Sequence, residues 1–173
     1  MERKTGVSVP LSALYTKNSP STGEFTSLKP FADFCKTAGL SVIQLLPVND
    51  TGFESSPYNG LSAFALNPLY IDISALPEFE QAYASDKAFA GAYRTFVKEN
   101  RWHNRFDYTK VLSEKIRLLH LLYAWIEKQI AVESNTVVKP SNSKVKEVTV
   151  VTTGSFVQQL LLQQQLFSAV QAL

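Results

Sequence analysis

Asp50-Thr51-Gly52-Phe53-Glu54-Ser55-Ser56-Pro57-Tyr58-Asn59-Gly60-Leu61-Ser62-Ala63-Phe64-Ala65-Leu66-Asn67-Pro68 follows the apolar run Val42-Ile43-Gln44-Leu45-Leu46-Pro47. The run reads as a buried strand, and its apolar continuity is that of a strand covered on both faces. The stretch after it is rich in turn formers and carries three aromatic residues, Phe53, Tyr58 and Phe64. A long loop without secondary structure of its own, inside a compact domain, is either functional or disordered. Aromatic and apolar residues are too frequent here for a solvated, disordered segment. The loop is therefore expected at the carboxyl end of a strand, presenting an aromatic platform with hydroxyls to a ligand.

Upstream, Gly6 to Val9 fits a first strand that Pro10 closes. Tyr15 to Gly23 has loop chemistry, and Thr26 or Ser27 can cap a helix running to about Ala38. Pro30 is tolerated because it falls in the first turn. Leu28, Phe31, Phe34, Cys35 and Ala38 make its apolar face, and Gly39 is a left-handed terminator. Strand, helix and strand in this order form a βαβ unit, with parallel strands and a right-handed crossover.

Downstream, Leu69 to Ile73 reads as a short extended piece, and Ser74 to Phe79 as a turn entering a helix. Phe89 to Asn100 is a short helix. Asp107 to about Val132 is the longest one, with Val111, Leu118, Leu119, Leu122, Tyr123, Trp125, Ile126 and Ile130 at helical spacing. Glu133 to Lys146 has linker composition, and Glu147 to Thr153 has the β-branched alternation of a strand. Ser155 to Leu173 is an amphipathic, glutamine-rich helix, its glutamines forming a polar outer face. It stops inside an apolar-periodic pattern without a capping glycine, a polar tail or a basic last turn, as a truncated helix would.

Composition narrows the function classes. A chain of 173 residues, 45% hydrophobic and 18% charged, has the make-up of an ordinary globular domain. Its net charge of +2 is scattered, which argues against a nucleic-acid partner. The basic residues between Lys139 and Lys146 read as a solvated linker. Cys35 is the only cysteine, so no disulfide forms within the chain, and a small core hydrophobe in a reducing compartment is expected. No amino-terminal signal pattern precedes the first strand, and no apolar stretch reaches the roughly 18 residues of a membrane span. A cytoplasmic protein with no membrane partner is expected.

Several fragments then fall in a telling order. They are Thr5-Gly6-Val7, Gln44-Leu45-Leu46-Pro47, Thr51-Gly52-Phe53, Ser56-Pro57-Tyr58, Ser62-Ala63-Phe64-Ala65 and Asn67-Pro68-Leu69-Tyr70-Ile71-Asp72. Together they resemble the amino-terminal part of the 4-α-glucanotransferases of the amylomaltase, or disproportionating-enzyme, type. Phe106-Asp107-Tyr108, Val111 and Lys115 are similar to that family's next helix entry, and Phe156, Gln159 and Gln165 resemble a later helix of it. Glu133 to Gly154 matches nothing in the pattern. The resemblance implies an α/β fold, an incomplete TIM (β/α)8 barrel comprising its first strands and helices plus a helical inserted region. A full barrel takes about 250 residues. It divides the chain into an amino-terminal barrel part at 1–132, a linker-like or inserted segment at 133–154, and the truncated amphipathic helix at 155–173.

The function so implied is transfer of α-1,4-glucan segments between maltooligosaccharides by a retaining mechanism, in which one carboxylate attacks and another serves as acid and then base. No cofactor or metal is expected. The partners are a maltooligosaccharide or α-1,4-glucan and a missing carboxyl-terminal segment. Tyr58 matches the family tyrosine packed against the donor sugar, and Ser56 the serine near the same sugar. The ring can stack on a sugar's C–H face while the hydroxyl takes a hydrogen bond. Phe53 stands where many members have tyrosine, and Ile43 replaces a tryptophan. Gly23-Glu24-Phe25 stands where Gly-Asp-hydrophobic is usual. Asp50 and Glu54 are expected to be solvated loop charges. The family's catalytic carboxylates belong to later strands, so no catalytic residue carries over. The alternative is a non-catalytic remnant, or a partial module that binds glucan.

Overall fold

The computed structural model describes residues 3–17, 19–101 and 106–136. Strand β1 (Gly6–Val9), helix α1 (Leu28–Thr37) and strand β2 (Val42–Leu45) come first. They are followed by the long loop and by helices α2 (Phe79–Ser85), α3 (Lys87–Asn100) and α4 (Tyr108–Thr136). The strands pair in parallel, with Gly6 opposite Val42 and Val9 opposite Leu45, so the βαβ order of the sequence is realised. Gly39 ends α1 at φ 75, with Leu40 N donating to Cys35 O and Gly39 N to Lys36 O. This is the Schellman arrangement, which needs a left-handed residue at that point.

Three expectations change. First, β2 is not covered on both faces: Val42 is 43% exposed, and along both strands exposed and half-buried residues alternate. Among the described residues the sheet consists of β1 and β2 alone, and covering both faces of a parallel strand takes more neighbours than that. Second, the apolar face of α1 is only partly used. Leu28 and Cys35 are buried, Phe31 is half-buried, and Phe34 is exposed with its ring stacked on that of Phe31. Ser27, moreover, does not cap α1 with its side chain. It forms a reciprocal capping box with Glu24 around a 3₁₀ turn, Phe25–Ser27, that precedes the helix.

Third, Leu69 to Ile73 is not one extended piece: only Ile71 and Asp72 are extended, between two turns. Pro68–Tyr70 and Ile73–Ala75 are 3₁₀ turns, opened by the Asn67 side chain accepting from Leu69 N and the Asp72 side chain accepting from Ser74 N. Local capping by Asn and Asp, with Pro at the first turn position, outweighs the strand preference of the Leu-Tyr-Ile run. Asp86 opens α3 in the same way, so that helix starts at Lys87 instead of Phe89.

The core lies beside the sheet. Leu11, Phe25, Leu69, Ile71 and Phe79 pack with Phe89 and Phe96 of α3 and with Val111, Leu118 and Leu122 of α4. Of the predicted face of α4, Val111, Leu118, Leu119, Leu122 and Trp125 are buried, Tyr123 and Ile126 are half-buried, and Ile130 is exposed. Helix α4 continues to Thr136, into the first residues of the expected linker. The remainder of that segment, the strand at 147–153 and the helix at 155–173 lie outside the described residues. No helix among the described residues is long and apolar enough to cross a membrane.

Candidate functional site

The loop after β2 folds into a closed form. Asn49 and Leu66 bridge in antiparallel fashion. Asp50 N donates to Ala65 O, Asn67 N to Val48 O and Leu61 N to Asp50 O, at 2.8 to 3.0 Å. Asn49 Nδ2 adds a bond to Ala63 O at 3.0 Å. These contacts draw the loop's two limbs together at its base. Within it, Gly52 turns the chain at φ 58, and Gly52 N donates to Asp50 Oδ1 at 2.8 Å. Asp50 is thus a half-buried turn former and not a solvated charge, because its carboxylate satisfies a backbone donor two residues on. Glu54 is exposed, as expected.

A latch from α4 fixes this base. Tyr108 OH donates to Gly52 O at 2.9 Å and accepts from Asn67 Nδ2 at 2.9 Å. Thr51 Oγ1 lies 2.9 Å from the same phenol and donates to Glu54 O at 2.6 Å. Thr51 and Asn67 are both buried. The loop tip is the opposite. Asn59 N donates to Ser56 O at 3.2 Å, closing a turn with Pro57 at its second position and Tyr58 at its third. Ser56 is half-buried and Tyr58 is 70% exposed. Phe53, Leu61 and Phe64 are also exposed, the last at 89%. Apolar side chains held out on a stapled loop form a surface that a ligand can cover.

Behind the loop sits an ion pair that the sequence does not announce. Lys115 is fully buried and Glu24 nearly so. The Lys115 ammonium donates to Glu24 Oε1, to Leu69 O at 2.7 Å and to Ile71 O at 2.8 Å, so all three of its donors are used. The Glu-for-Asp departure at position 24 thereby has a place, in a carboxylate shared between Lys115 and the capping box with Ser27. Burial pushes the Glu24 carboxyl up to about 7; Lys115 pulls against this and Asp72 adds to it. A carboxyl raised in the folded state is proton-richer folded than unfolded between the two pKa values, so stability declines as pH rises through that window. Urea unfolding followed from about pH 5 to about pH 8 is expected to show this loss from Glu24, and Glu24→Gln to remove it. Stability rising over that interval by an amount Glu24→Gln leaves unchanged would contradict the assignment.

Among the described residues no three His, Cys, Asp or Glu side chains gather as metal ligands. What the geometry can do is bind. It sets a rigid loop at a strand's carboxyl end, with one aromatic ring at the apex of a proline turn.

The described residues thus form an α/β unit whose long, hydrogen-bonded loop leaves the carboxyl end of a parallel strand. The chain belongs to the 4-alpha-glucanotransferase family, whose model matches residues 9–152. It is 52% identical over 83 residues to the 4-alpha-glucanotransferase of Chlamydia trachomatis serovar D, covering 48% of this chain and 16% of that one. It is 37% identical over 125 residues to the 4-alpha-glucanotransferase of Chlamydia caviae, covering 72% of this chain and 23% of that one. The chain therefore spans less than a quarter of the length of these relatives. In fold it is similar to the crystal structure of amylomaltase from Corynebacterium glutamicum, with a TM-score of 0.71 at 18% identity over 98% of this chain and 28% of that one.

Proposed function

We propose that the chain supplies the amino-terminal wall of the donor-sugar site of a 4-α-glucanotransferase, an enzyme that passes α-1,4-glucan segments between maltooligosaccharides. On this reading β1, α1 and β2 are the first βαβ unit of an incomplete TIM (β/α)8 barrel, and α2 to α4 are helices that follow it in the amino-terminal barrel part. In such barrels the loop after a strand belongs to the catalytic face. The observation that carries the proposal is the exposure of Tyr58 on a turn whose base is stapled to α4. A rigid ring stacks on a sugar face at little entropic cost, and Ser56 two positions earlier brings a hydroxyl to the same turn. Phe53 offers a second ring without a hydroxyl. The attacking and proton-transferring carboxylates of the retaining mechanism come from elsewhere in the enzyme, so the role of these residues is binding and orientation. The site belongs to a cytoplasmic protein and takes a neutral glucan.

Calorimetric titration with maltooligosaccharide tests this. Tyr58→Ala is expected to weaken binding about tenfold, equivalent to about 1.4 kcal/mol, without changing the melting temperature. Unaltered affinity would remove Tyr58 from the site. The small share of the relatives' length gives a second reading some weight, namely that this polypeptide alone binds glucan without catalysis. Incubation with maltotriose is expected to give no glucose and no longer maltodextrins. Disproportionation that Tyr58→Ala abolishes would exclude that second reading.

A further inference from the structure

A cavity of about 500 Å³ opens between α2 and α3 and is lined by Tyr83, Tyr93, Arg94, Val97, Lys98 and Arg101. Its volume lies within the range of small-molecule sites, about 300–1,000 Å³. Two properties set it apart from the loop after β2. The first is charge. Arg94 and Lys98, one turn apart on α3, and Arg101 just beyond its end bring three positive charges to one cavity, whereas the whole chain carries a net +2. No carboxylate lines the cavity, and among the described residues none of the three cations is within ion-pair distance of one. Cations favour the last turn of a helix through its dipole, but Arg94 lies more than a turn inside α3, beyond the reach of that effect.

The second property is the pair of tyrosines. Their rings meet at 88° with centroids 6.1 Å apart, making a corner, and the Arg94 guanidinium lies over the Tyr83 ring at 5.8 Å. The corner is firmly backed. Phe79 packs against both rings, at 4.8 Å from Tyr93 and 5.4 Å from Tyr83. Cations beside an aromatic corner suit a ligand that has an anion at one end and, at the other, a ring that packs against the tyrosines lining the cavity. A neutral glucan meets only half of that description.

We propose that this cavity binds a phosphomonoester carried on a ring, a hexose phosphate or a nucleoside monophosphate. The phosphate sits on Arg94, Lys98 and Arg101, and the ring against Tyr83 and Tyr93. This is a separate site from the glucan surface at Tyr58, and it takes an anion where that one takes a neutral sugar.

The test is calorimetric titration of the full chain at low ionic strength with glucose 6-phosphate, AMP, inorganic phosphate and glucose in turn. One of the two esters is expected to bind at least about tenfold more tightly than inorganic phosphate, with glucose giving no heat. Which ester it is distinguishes the sugar source from the nucleotide source. The double variant Arg94→Gln, Lys98→Gln is expected to lose about tenfold or more in that affinity with its circular dichroism and melt unchanged, since both side chains are exposed. Tyr83→Leu should abolish the preference of the ester over inorganic phosphate. Inorganic phosphate binding as tightly as either ester, absence of binding by both, or an unaltered affinity in the glutamine variant would each overturn the proposal. Maltotriose titration reports separately on Tyr58, so either site can fail without the other.

Discussion

Lys115→Ala is expected to lower the free energy of unfolding by about 3–5 kcal/mol near pH 8, the range found when one partner is taken from a buried ion pair. The loss has two sources. Glu24 is left nearly buried and without its counter-charge, and the carbonyls of Leu69 and Ile71 lose the donor that satisfies them. Domains of this kind are stable by about 5–15 kcal/mol, so the substitution removes a large share of the total. The first source depends on pH. Burial already holds the Glu24 carboxyl at about 7, and without the ammonium it rises further, so near pH 5 the carboxyl is neutral and the charge penalty disappears. The carbonyl penalty stays. Urea unfolding at the two pH values should therefore show a smaller effect at the lower one. A cost under about 1 kcal/mol at both, the value typical of an exposed pair, would mean that Lys115 is hydrated instead of locked in the core.

Asn67→Ala is expected to cost about 2–4 kcal/mol and to free the loop. Its side chain opens the 3₁₀ turn Pro68–Tyr70 by accepting from Leu69 N, and a lost cap of this kind is worth about 1 kcal/mol. Its amide also donates to Tyr108 OH and Thr51 Oγ1, which keep their own bonds to Gly52 O and Glu54 O, and the two lost hydrogen bonds add about 1–3 kcal/mol. Asn67→Asp keeps the cap and loses the two donors, so it separates the contributions. Amide exchange gives the local readout. Asp50 N and Leu61 N, which close the loop base, should exchange at least about tenfold faster in Asn67→Ala than in the parent chain, beyond what the global loss explains. Unchanged exchange there would show that the base holds without the latch.

The βαβ unit was legible because its signals are local. The short run Gly6-Val7-Ser8-Val9 closed by Pro10, a helical spacing ending at Gly39 and a second apolar run each carry their own evidence. The parallel pairing followed from the crossover, whereas the register, Gly6 opposite Val42, is set only in the structure. The exposure of β2 was not legible, because burial depends on how many strands join the sheet, and residues 42–45 do not encode their neighbours. The 3₁₀ turns at 68–75 run against the strand preference of the β-branched and aromatic residues there, although Asn67-Pro68 and Asp72-x-Ser74 are capping signatures.

The candidate site divides likewise. Loop composition singled out the exposed tip, and the resemblance singled out Ser56 and Tyr58. The latch and the ion pair join residues 41 and 91 positions apart, Asn67 to Tyr108 and Glu24 to Lys115. A lysine in the middle of a helix ordinarily reads as a solvated charge. Only the three-dimensional path of the chain shows that Lys115 points into the core beneath the loop.

The central claim is that this loop is a glucan-binding wall with Tyr58 at its contact point. Residue-resolved NMR of the isotope-labelled chain, titrated with maltotriose, tests it most directly. The expected result is a set of amide shifts concentrated between residues 50 and 66, largest around Ser56 and Tyr58 and lost in Tyr58→Ala. Shifts that fall elsewhere while the loop stays unmoved, or a shift pattern that Tyr58→Ala leaves intact, would contradict it.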